Sequence, residues 1–82
     1  MAGHERGKAR QELLNRARAR TYRDRAAEFL NLARSAGEID VRNRYLTIVR
    51  HYLTLAEAEE RDAAQHAAKR RLQSTGTVSE DG

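Results

Sequence analysis

Ser35-Ala36-Gly37-Glu38-Ile39-Asp40 is the one interior break in a chain of 82 residues that otherwise reads as helix. Gly37 is the only glycine between Gly7 and Gly76. A glycine after a long periodic stretch takes the left-handed conformation that ends a helix, which predicts a stop near Ala36. Asp40 then offers a side-chain acceptor to the free N–H groups of a new helix. A connection this short makes the two helices antiparallel neighbours. The predicted class is all-α: a helical hairpin of two long antiparallel helices that completes a bundle by self-association. The first helix is expected over about 9–36, the turn over 37–40 and the second helix over about 41–73. Residues 1–8 are expected to fray. The polar, aperiodic stretch 74–82 is expected to be disordered.

Composition agrees with this reading. There is no Pro, Cys or Trp, and 14 residues are Ala. Absence of Pro with abundant Ala, Arg and Glu favours helix throughout. The larger apolar residues suffice for one small domain. No stretch approaches the roughly 20 apolar residues of a membrane-spanning helix. Without Cys there is no disulfide framework and no thiol chemistry. The start, Met1 to Arg6, lacks the apolar core of a signal peptide. The Arg-rich region that follows is broken by Glu5, Glu12 and Asp24, unlike a transit peptide. A cytoplasmic protein is expected.

Apolar spacing defines the faces. The first helix carries Tyr22, Ala26, Phe29, Ala33 and Ala36 at steps of 4, 3, 4 and 3. The second carries Val41, Tyr45, Ile48, Tyr52 and Leu55 at the same steps. Each set is a strip that buries one helix face. Beside the second lies another strip, Leu46, Val49, Leu53 and Ala56. Two adjacent strips are wider than one hairpin partner covers, so the extra strip asks for another molecule. Phe29, Leu30, Leu46, Val49 and Leu53 are the expected interface, and a homo-oligomer, a dimer first of all, is the expected state.

Further from the turn, the strips thin to Ala, with Leu13 and Leu14 the only large apolar residues on the first helix. Antiparallel pairing sets these opposite roughly 58–64. It also brings Glu57, Glu59, Glu60 and Asp62 near Arg16, Arg18 and Arg20. Exposed pairs of this kind contribute about 0–1 kcal/mol each and set register more than stability.

Catalytic patterns are nearly absent. There is no Gly-rich phosphate loop, nucleophile elbow or His-Glu-x-x-His motif. Glu59, Asp62 and His66 share a helical face and could hold a cation, but ordinary i, i+3 and i, i+4 pairing on a solvated face is the preferred reading. His51 lies beside the apolar strip as a boundary residue. No catalytic residue, metal site or cofactor is assigned.

The cationic residues are fourteen Arg and two Lys. Codon usage in a GC-rich genome accounts for such a bias; so does selection for bidentate recognition of phosphate or carboxylate. Residues 1–25 hold eight basic and three acidic groups, a local charge of +5. Arg16, Arg18, Arg20, Arg23 and Arg25 are therefore the phosphate-contacting set of an alternative reading, sequence-nonspecific nucleic-acid binding. Against it, alternate positions turn about 200° per step on a helix and spread the Arg groups around it. No aromatic residues are interleaved for base stacking.

Tyr22-Arg-Asp-Arg-Ala-Ala-Glu-Phe-Leu-Asn-Leu-Ala-Arg34, with Asp40-Val-Arg-Asn-Arg-Tyr-Leu-Thr-Ile-Val-Arg-His-Tyr-Leu-Thr-Leu-Ala-Glu57, resembles uncharacterised small helical-hairpin proteins of GC-rich alphaproteobacteria. The resemblance covers about residues 22–60. Ile48-Val49 stands where Leu-Ala is usual, and Val41 where Pro often follows the Asp. The resemblance implies the hairpin and a bacterial source, and brings no activity with it. The expected function is a non-enzymatic interaction or regulatory module acting through self-association or partner-helix binding.

Overall fold

A computed structural model describes the backbone of residues 2–81 and the side chains of residues 10–72. Among these residues the chain is an all-α hairpin with no strand: α1 spans Ala2–Ser35 and α2 spans Ile39–Asp81. Both helices run past the expected limits at 9 and 73. No proline stops either one, and their Ala, Arg, Glu and Leu content favours helix. The side chains of the expected frayed start, residues 1–8, and of the expected tail, residues 74–82, lie outside the described residues.

The turn differs from expectation in two details. Gly37 does not adopt a positive φ. α1 instead closes with the Ala36 N–H donating to the Ala33 carbonyl at 3.3 Å, a tightened last turn that needs no left-handed residue. The cap position of α2 is Glu38, not Asp40. The Arg42 N–H donates to the Glu38 carbonyl at 3.0 Å, the first bond of the new helix. Asp40 lies inside the first turn, where its carboxylate faces the positive end of the helix dipole.

The two helices pack side by side into a ribbon 65 × 22 × 12 Å. Its radius of gyration is 18.9 Å, against about 12 Å for a compact domain of this length. Burial follows a strict alternation of 3 and 4. On α1 the seam positions are Glu12, Asn15, Ala19, Tyr22, Ala26, Phe29, Ala33 and Ala36, with Leu30 half-buried beside them. On α2 they include Tyr45, Val49, Tyr52, Ala56, Glu59, Ala63 and His66. The first-helix strip is the one its spacing predicts. On α2 the seam shares Tyr45 and Tyr52 with the predicted strip but takes Val49 and Ala56 instead of Ile48 and Leu55. Both choices satisfy the same spacing. The smaller residues win because the aromatic rings already fill the space between the helices.

Every second seam position is small, at a spacing of seven residues: Ala19, Ala26 and Ala33 on α1; Val49, Ala56 and Ala63 on α2. Between them stands an aromatic ladder. Phe29 stacks on Tyr52 with ring centroids 5.8 Å apart and tilts against Tyr45 at 6.1 Å. Tyr22 meets Tyr52 at 6.2 Å. Such pairs contribute about 0.5–1.5 kcal/mol each beyond area burial. Small residues on one helix leave room for rings from the other, so close approach and aromatic packing are one arrangement. The ladder occupies the half of the ribbon nearer the turn. Beyond it the seam turns polar. Asn15 is only 2% exposed, and its Oδ1 accepts from Gln11 Nε2 at 3.0 Å.

Candidate interaction surface

A ribbon of two helices has two broad faces, and residues flanking the seam belong to one or the other. At about 100° per residue, Leu46 and Leu53 lie on one side of Val49, and Ile48 and Leu55 on the opposite side. On α1, Leu30 lies on the first side and Leu32 on the second. The first face holds a shallow cleft of about 310 Å³ lined by Leu30, Ala33, Arg34, Arg42 and Leu46. The second holds one of about 360 Å³ lined by Thr47, Ile48, His51, Tyr52 and Leu55. A third cleft, on α1, is lined by Leu14, Ala17, Arg18, Thr21 and Tyr22.

The five expected interface residues divide between hairpin and surface. Phe29 is engaged in the aromatic ladder, and Val49 is 8% exposed inside the seam. Both are occupied within one chain. Leu30, Leu46 and Leu53 remain half-buried on the first face. The sequence reading missed the second face. Its signal was nonetheless in the spacing: Arg44, Ile48, His51, Leu55, Ala58 and Asp62 repeat at 4, 3, 4, 3 and 4 on α2.

The five Arg of the alternative reading are all exposed, and three are engaged with carboxylates. Arg23 forms a bidentate pair with Glu60 across the hairpin, Nε to Oε2 at 2.8 Å and Nη2 to Oε1 at 2.7 Å. Those hydrogen bonds hold the Glu60 carboxyl below its ordinary value and raise the Arg23 guanidinium. Arg16 lies 3.6 Å from Glu12, and Arg25 lies 3.7 Å from Glu28. Arg18 and Arg20 make no ion pair among the described residues. The expected antiparallel charge match is present with other partners. Glu60 takes Arg23, and Glu12 takes Arg70 at 2.6 Å from α2. Among the described residues Arg16, Arg18 and Arg20 make no ion pair with the acidic stretch of α2; Arg16 turns instead to Glu12 one turn back on its own helix.

Glu59 and His66 are half-buried along the seam, and Asp62 is exposed on the second face. Among the described residues no three or more His, Cys, Asp and Glu side chains gather closely enough to hold a metal ion. No described helix is long and apolar enough to cross a membrane. No family model, curated protein or solved structure matches the chain.

Proposed function

We propose that this chain is a non-enzymatic helical interaction module that acts by self-association or by binding a partner helix, with its seam serving as an antiparallel coiled coil. One observation carries the reading. Among the described residues the buried apolar ones are five Ala and Val49, while Leu13, Leu14, Leu32, Ile39, Leu55 and Leu72 are exposed. Among the described residues no large side chain is fully buried. A hairpin that spends its small residues on internal contact and its large ones on both broad faces has apolar surface to share. The four-helix bundle is the simplest assembly that covers such a face.

Sedimentation equilibrium of the full chain at micromolar concentration tests the reading. A dimer is expected. A folded species that stays monomeric, and that captures no partner helix, would overturn it. Nucleic-acid binding by the Arg set is the weaker reading, because ion pairs engage Arg16, Arg23 and Arg25.

A further inference from the structure

We infer that the second broad face of α2 takes a second copy of this chain, its α2 antiparallel to the first, along Arg44, Ile48, His51, Leu55, Ala58 and Asp62. The inference rests on the self-association reading and names its surface.

The strip alternates steps of 4 and 3, the spacing that keeps side chains on one seam between two helices. It is open: Leu55 is 45% exposed, Arg44, His51 and Asp62 are exposed, and Ile48 and Ala58 are half-buried. A cleft at Ile48, His51 and Leu55 marks its centre. A two-fold axis between His51 and Leu55 generates layers that are all complementary. Arg44 meets Asp62 of the copy, Ile48 meets Ala58, and His51 meets Leu55; the axis then repeats each layer in reverse. The interior layers pair a large residue with a smaller one, as the hairpin's own seam does, and a ring with Leu. The end layers are two equivalent ion pairs. A two-fold contact of this kind must be self-complementary, and few strips of mixed charge are.

Arg44 and Asp62 have no ion-pair partner among the described residues. Counting both, they span 19 residues of helix, about 28 Å of contact length. The outer neighbours Thr47 and Thr54 are short, and their hydroxyls are turned back to the carbonyls of Asn43 and Arg50 at 3.0 and 2.9 Å. They leave room for a neighbouring backbone. On the same face α1 carries Leu32 beside the basic Arg18 and Arg25, with no match to the Arg44 and Asp62 ends, so the contact is assigned to the α2 helices. The first face fits a second copy less well. Its α2 column beside Leu46 and Leu53 holds Arg50 and Glu57, which sets leucines against charges.

Charge exchange tests the assignment on the full chain. Arg44→Asp sets Asp against Asp62 twice, and Asp62→Arg sets Arg against Arg44 twice. Each is expected to weaken the dimer about tenfold or more in sedimentation equilibrium. Both residues are exposed, so circular dichroism should report an intact fold. An equimolar mixture of the two variants restores opposite charges in both end layers and is expected to form a heterodimer near wild-type affinity. If the wild type dimerises but the single variants dimerise equally well, or their mixture gains nothing, this surface is wrong while self-association stands. Loss of the dimer in Leu46→Gln/Leu53→Gln, with the charge variants unaffected, would move the contact to the first face. A wild type that stays monomeric would overturn both the surface and the self-association reading.

Discussion

Ala56→Leu tests the packing of the hairpin most directly. Ala56 is 0% exposed and sits in the seam beside the aromatic ladder. Leucine adds three carbons where the opposing helix is already in contact. The helices must then separate or the added side chain must leave its preferred rotamer, a cost of about 1–3 kcal/mol. For a domain of this size each kcal/mol moves the melting temperature by about 4–8 °C. The expected loss is therefore roughly 5–20 °C. Ala64→Leu supplies the control. It lies eight residues further along the same helix and is exposed. Leucine and alanine have similar helix propensity, so that variant should melt within a few degrees of wild type. Melting curves are compared by circular dichroism at one protein concentration, because association makes the midpoint concentration-dependent. If the two substitutions cost the same, the seam is not the close-packed element and the account of the fold fails.

Other expectations follow from single residues. Gly37→Ala should be neutral or stabilise by about 0.4–1 kcal/mol in urea melts, since Gly37 has no positive φ and a Cβ there meets nothing within 4 Å. Phe29→Ala removes contacts to both Tyr45 and Tyr52 and should cost about 2–4 kcal/mol; hydrogen exchange should show the loss as wider opening around the ladder. Asn15→Leu should raise the melting temperature, because it replaces a buried amide with apolar volume, and should allow additional species in sedimentation velocity. Glu60 should titrate below its usual value of about 4.3 in a carboxyl NMR experiment, and Arg23→Gln should return it there. Because the folded-state value is lowered, the stability linked to Glu60 is present above the unfolded value. It disappears as pH falls through the folded one.

How far the sequence was legible depends on what periodicity can distinguish. The break at 35–40 and the strip from Tyr22 to Ala36 were readable because one glycine and one spacing admit a single interpretation. On α2 two strips obey the same 3–4 rule, share Tyr45 and Tyr52, and differ only at Ile48 and Leu55 against Val49 and Ala56. Hydrophobicity favours the first pair. The structure uses the second, because the decision is made by volume across the seam, and the volume is already held by Phe29 and three tyrosines. Asn15 was invisible for a related reason: a polar residue at a seam position breaks an apolar strip even when Gln11 satisfies it. The left-handed role expected of Gly37 failed because a tightened last turn at Ala33 and Ala36 closes α1 without it. These differences share one consequence for function. Once Val49 and Ala56 fill the seam, Ile48 and Leu55 are displaced to a face that one hairpin does not cover. The same register places Arg44 and Asp62 at the two ends of that face. Volume inside the hairpin thus determines which residues are left to recognise a second copy.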